Sequence, residues 1–146
     1  MAKILLTEDD EAVQAFVARA LQMDGHELTL ADDGEEGYDA LQAAGGDFDL
    51  LLTDIKMPFL DGIELARLSA ASWPNLPILM MTGYADQRER ADGLDAIVLD
   101  VVSKPFTLSE IRTAVSRALA TAANNVTRLD LGGSAAKAES RLRKVG

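Results

Sequence analysis

Leu50-Leu51-Leu52-Thr53-Asp54-Ile55-Lys56-Met57-Pro58-Phe59-Leu60-Asp61-Gly62 runs from an unbroken apolar segment into a carboxylate, a proline and an Asp-Gly turn signal. An apolar run without polar alternation fits a strand covered on both faces, the setting of a parallel sheet between two helical layers. A strand of that kind ending at Asp54 delivers a charged group to the rim of the sheet. Asp61-Gly62 reads as a turn and helix start. Ile63, Leu65, Ala66 and Leu68 then mark a helix that ends before Trp73-Pro74.

Outward from this segment the same alternation repeats. Ile4-Leu5-Leu6 is a first strand, followed by the acidic run Glu8-Asp9-Asp10-Glu11. Asp10 is placed to cap a first helix, in which Val13, Phe16, Val17, Ala20 and Leu21 recur at helical spacing up to Asp24-Gly25. Leu28 to Ala31 is a second strand, with His26 a surface residue at its start, and Gly34 to Ala44 a second helix. Ile78 to Met81 reads as a fourth strand, Asp86 to Gly93 as a short charged fourth helix, and Ile97 to Val102 as a fifth strand. Leu108, Ile111, Val115 and Leu119 mark a fifth helix. Five strands alternating with five helices predict an α/β fold, a doubly wound parallel sheet with helices on both faces.

Composition narrows the chemistry. The 146 residues carry 24 Asp plus Glu against 14 Lys plus Arg, a formal net charge of −10, no cysteine and one histidine. Disulfide frameworks, thiolate chemistry and histidine-rich metal sites are therefore excluded. The charge has the wrong sign for a nucleic-acid binder. No apolar run approaches the ~20 residues that span a bilayer, and no signal peptide is evident, so a soluble, cytoplasmic protein is expected. The acidity is uneven, with 22 acids and 9 bases in residues 1–120 but 2 acids and 5 bases in residues 121–146. Thr121 to Asn125 and Gly132-Gly133-Ser134 read as linker, which suggests a domain over 1–121 and a basic tail over 122–146, partly disordered or a short helix.

In a doubly wound sheet, ligands bind beyond the carboxyl ends of the strands. The residues at those ends are Glu8 and Asp9, Asp54, Thr82 with Gly83, and Lys104-Pro105. Carboxylates ~4 Å apart repel by about 4 kcal/mol per pair at an effective dielectric of 20, and a divalent cation resolves the conflict. Hard oxygen donors without His or Cys point to Mg²⁺. An acidic magnesium pocket faced by one lysine suits phosphoryl transfer to a carboxylate.

Leu6-Thr7-Glu8-Asp9-Asp10, Leu52 to Gly62, Met81-Thr82-Gly83 and Ser103-Lys104-Pro105-Phe106 together resemble a response-regulator receiver domain over about residues 1–120. The resemblance implies a flavodoxin-like (CheY-like) sheet of strand order 2-1-3-4-5. It implies that Asp54 accepts a phosphoryl group from a sensor histidine kinase or histidine phosphotransfer protein. Mg²⁺ would be held by Glu8, Asp9, Asp54 and the backbone carbonyl of Lys56. Thr82 would be the switch hydroxyl, Lys104 would pair with the phosphoryl group, and Lys104-Pro105 would be cis. Two positions depart from the family pattern. Val101 stands where a rotating aromatic is usual, which leaves Tyr84 as its substitute, and the side chain of Lys56 is placed to slow hydrolysis of the phosphoryl group.

No segment after residue 121 is long enough for an output domain, so a stand-alone receiver that signals by contact is expected. Its switching face would comprise the fourth helix, fifth strand and fifth helix, near Leu94, Val98, Val101 and Leu108. A finer likeness, to single-domain receivers that regulate ClpXP proteolysis, implies a protease-adaptor system as downstream target. The chain would be no enzyme beyond its own phosphorylation and slow dephosphorylation, and would bind neither nucleic acid nor membrane. Two alternatives stay open: a phosphorylation-independent pseudo-receiver, and a haloacid-dehalogenase-type phosphatase. The latter needs a second aspartate where Lys56 stands.

Overall fold

The computed structural model describes residues 1–83 and 93–132. Its strands are β1 (Lys3–Thr7), β2 (Glu27–Ala31), β3 (Leu50–Asp54), β4 (Ile78–Thr82) and β5 (Asp100–Ser103). Its helices are α1 (Glu11–Gln22), α2 (Gly34–Ala44), α3 (Gly62–Ser72) and α4 (Leu108–Gly132). The strands form one parallel sheet in the order β2-β1-β3-β4-β5, as the family resemblance implies.

Both faces of the sheet are covered, which explains the unbroken apolar runs. Ile4, Leu6, Leu50, Leu52, Leu79 and Met81 pack under α1 and α4 against Val17, Leu21, Ile111 and Val115. Leu5, Leu51, Ile78 and Met80 face the other way, toward Leu41 of α2 and Ile63, Leu65 and Ala66 of α3. Asp10 caps α1, accepting from the N–H groups of Ala12 and Val13 at 2.9 and 3.2 Å. Asp61 caps α3 through Glu64 N–H at 2.9 Å. Thr107 and Glu110 form a reciprocal capping box on α4, at 3.0 and 2.8 Å. Arg112 of α4 clasps Asp24, just past α1, through Nε and Nη2.

Two expectations need correction. The fifth strand begins at Asp100, not Ile97. The Ile97 and Val98 N–H groups donate instead to the Leu94 carbonyl at 2.9 and 2.8 Å, so this apolar stretch forms a turn with Val98 buried and Ile97 half-buried. The last helix does not end near Leu119 but continues through the linker-like Thr121 to Asn125 as far as Gly132. Alanines at 120, 122 and 123 favour helix, and extending an existing helix costs far less than nucleating one. Four of the five expected helices stand among the described residues. The expected fourth helix falls on Asp86 to Gly93, of which residues 86–92 lie outside them.

The β3–α3 loop is wedged in place. A Cβ on Gly62 would overlap the Asp54 carbonyl oxygen, and one on Gly34 would overlap that of Leu60. Phe59, between these clamps, has φ 69° and is 82% exposed. Gly62→Ala is expected to lower stability by about 3 kcal/mol, as overpacking against fixed backbone does. Urea denaturation checks this; an unchanged midpoint would show that the loop can yield.

Candidate functional site

The sheet's order turns between β1 and β3, where the chain leaves β1 for β2 and returns to β3. A doubly wound sheet opens its ligand crevice at such a point. β1 brings Glu8 and Asp9 to that crevice, β3 ends on Asp54, and the cis Lys104-Pro105 peptide follows β5. Lys104 Nζ donates to Glu8 Oε1 at 2.8 Å and to Asp54 Oδ2 at 3.0 Å. The second oxygen of each carboxylate is held by backbone: Asp54 Oδ1 accepts from Ile55 N–H at 2.9 Å and Glu8 Oε2 from Asp10 N–H at 3.1 Å. Glu8 is 1% exposed and Asp54 5%, whereas Asp9 is exposed.

Oxygens of Glu8, Asp9 and Asp54 lie within 4.8 Å of one another, a group that could hold a metal ion. The three carboxylates face one ammonium, and the titration behaviour reflects the surplus. Burial pushes Glu8 above the usual carboxylate range; the Lys104 hydrogen bond opposes this and the Asp54 charge adds to it. Partial desolvation, with Glu8 beside it, raises Asp9 as well. Burial works against the Lys104 ammonium, but Glu8 and Asp54 outweigh it and hold its pKa above the ordinary lysine value. Every shift runs toward proton uptake, as expected of a site short of positive charge.

The groups line a cleft of about 640 Å³ with two unlike sides. Glu8, Asp9, Asp54, Lys56 and Lys104 make the polar side, and Val13, Phe16, Pro105 and Phe106 the apolar one. The Phe16 and Phe106 ring centroids are 6.3 Å apart. Thr82 ends β4, buried, and its carbonyl accepts from Lys104 N–H at 2.7 Å, while Gly83 reaches the cleft. Val101 is half-buried against the α2/α3 side of the core. Tyr84 lies outside the described residues. The apolar side went unanticipated, although Phe16 and Phe106 each stand close in sequence to a site residue.

Lys104→Met leaves Glu8 and Asp54 without a counter-charge and is expected to cost about 3 kcal/mol in the metal-free protein at neutral pH. The loss shrinks on acidification. Without the ammonium, the folded-state pKa of Glu8 rises further above its unfolded value. The native state then keeps a proton that the unfolded chain releases, so stability grows as pH falls through that window. Denaturant titrations in neutral and mildly acidic buffer check this; an equal loss in both would contradict it.

Comparison with known proteins agrees with this fold. The model of the response regulator receiver domain matches residues 4–116. The response regulator receiver protein CpdR of Brucella abortus is 40% identical over 119 residues, covering 82% of this chain and 98% of that protein. The response regulator MprA of Mycobacterium avium is 39% identical over 109 residues, 75% of this chain but 47% of MprA, so the likeness spans about half of that relative. Among solved structures, the chemotaxis response regulator CheY4 of Vibrio cholerae superposes with a TM-score of 0.71 at 27% identity, over 81% of this chain and 98% of that one. No helix among the described residues is long and apolar enough to cross a membrane. With the family model matched over residues 4–116, a 40% identical receiver protein covered almost whole and the sheet order shared, the chain belongs to the response regulator receiver domains of two-component signalling.

Proposed function

We propose that this receiver works as a stand-alone phosphorelay module, taking a phosphoryl group on Asp54 in a Mg²⁺-dependent reaction. The observation that carries the reading is Lys104 Nζ set between the buried Glu8 and Asp54 carboxylates, with Asp9 beside them. All donors are hard oxygens, which fits Mg²⁺. Glu8, Asp9, Asp54 and the carbonyl of Lys56 would hold the ion, which when bound supplies charge neutralisation between the attacking carboxylate and the anionic donor. An Asp54 oxygen forms the bond to phosphorus as the donor's P–N bond breaks, and the departing imidazole keeps its electron pair. Lys104 and the Thr82 hydroxyl then take up phosphoryl oxygens. The phosphodonor, a histidine kinase or histidine phosphotransfer protein, is seated by the apolar side of the cleft at Phe16 and Phe106.

The output is a change in the face built by the segment before β5, β5 and α4. Leu94 and Val98 are buried there, and Val101 and Leu108 are half-buried. Val101 is packed against the core and is too small to swing as a ring does, so we assign the aromatic part of the switch to Tyr84. The near-complete coverage of CpdR supports a single-domain role, and with it a CpdR-like part in regulated ClpXP proteolysis in the cytoplasm.

Incubation with acetyl phosphate and Mg²⁺ should place one acid-stable, base-labile phosphoryl group on Asp54, seen by mass spectrometry and absent in Asp54→Asn or after chelation. No reaction would favour a constitutive adaptor, and multiple turnover of small phosphates a phosphatase. Lys56 is exposed and lines the cleft, where it crowds the attacking water. Lys56→Ala should therefore shorten the phosphoryl lifetime several-fold; a longer lifetime than wild type would overturn this role.

A further inference from the structure

Beneath the acidic cleft, on the other face of the sheet, lie two threonines that phosphoryl transfer does not touch. Thr7 and Thr53 are register partners in β1 and β3, and both are fully buried. Side chains alternate along a strand. Leu5 and Leu51 belong to the core under α2 and α3, and Leu6 and Leu52 to the core under α1 and α4. Thr7 and Thr53 therefore share the α2/α3 face, and Asp54 points to the opposite one.

Their hydroxyls form a directed chain. Thr7 Oγ1 donates to Thr53 Oγ1, which donates in turn to the main-chain carbonyl of Asp54 at 2.9 Å. The far end is anchored by α2, because Gly37 lies so close to the Thr7 methyl that a Cβ there would overlap Cγ2. The peptide unit that carries the Asp54 carbonyl also carries the Ile55 N–H. That N–H donates to Asp54 Oδ1 at 2.9 Å and to the Met81 carbonyl at 3.2 Å. A peptide group is planar, so a hydroxyl holding its oxygen edge also sets the direction of its N–H edge. The N–H edge in turn holds the carboxylate.

We propose that Thr7 and Thr53 are positioning residues for phosphoryl transfer: their hydroxyl chain locks the Asp54–Ile55 peptide, and through it the torsion of the Asp54 carboxylate, in the attacking geometry. The proposal rests on Asp54 being the phosphoacceptor. Packing alone would be served equally well by valine, which has the same shape. A pair of valines leaves no buried hydroxyl unpaired, so the stability cost is confined to the one hydrogen bond lost at the Asp54 carbonyl, while the hold on the peptide is lost.

The test is the Thr7→Val/Thr53→Val double variant, compared with wild type and Thr53→Ser in Mg²⁺ and acetyl phosphate. The double variant should melt close to wild type, yet its maximal phosphorylation rate should fall about tenfold, the scale of a small misplacement of a reacting group. Its half-saturating acetyl phosphate concentration should stay unchanged, and Thr53→Ser, which keeps the hydroxyl, should retain the rate. A double variant as fast as wild type overturns the proposal. A wild type that fails to react overturns the assignment of Asp54 instead. Should the double variant melt far below wild type, Thr7→Val alone decides: Thr53 then donates without support, and an undiminished rate there overturns the proposal.

Discussion

Three carboxylates gathered at one sheet edge with a single ammonium are the constraint around which this molecule is built. Folding draws Glu8 and Asp54 out of water, and their mutual repulsion grows as the local dielectric falls. Lys104, 96 residues from Glu8 in sequence, is the only group in contact with both carboxylates among the hydrogen bonds described above. Closing that long loop costs entropy that the two contacts must offset. The same arrangement is what makes the site receptive. Glu8, Asp9 and Lys104 all shift toward holding protons, the mark of a pocket short of positive charge, and a group of hard oxygens in that state is one that could hold a divalent cation.

The cleft divides its labour by chemistry. Its polar side can bind and transfer an anionic group but offers little to tell one donor from another. Its apolar side, with Phe16 partly exposed beside Phe106, supplies area that a protein surface can bury. On the proposed function, reaction and recognition would occupy adjacent surfaces, with α1 contributing to both through the acidic turn that precedes it and the aromatic ring it carries.

Much of this was legible in the sequence because the relevant signals are short-range or positional. Leu50 to Leu52 and Ile78 to Met81 show no alternation because both sheet faces are covered, and that one fact implies parallel strands and helical layers. Given a doubly wound sheet, strand-end acids must converge, so Glu8, Asp9, Asp54 and Lys104 followed from position alone. Other features were not legible, for physical reasons. Ile97 and Val98 are apolar enough for a strand, but the Leu94 carbonyl captures their N–H groups in a turn. The last helix overruns its compositional boundary because no strong breaker stands between Leu119 and Gly132. Thr7 and Thr53 read as the polite ends of two apolar runs. Only the register of β1 on β3 reveals that the two hydroxyls meet.

The 25-residue helix Leu108–Gly132 is about 37 Å long at 1.5 Å per residue. Ile111, Val115 and Ala118 seat its first half against the sheet, and Arg112 pins that half to the end of α1. A continuous helix seated at one end acts as a lever. Any tilt of its seat is magnified in proportion to length at the far tip, so an angular change too small to alter the packing near β5 becomes an ångström-scale displacement at Gly132.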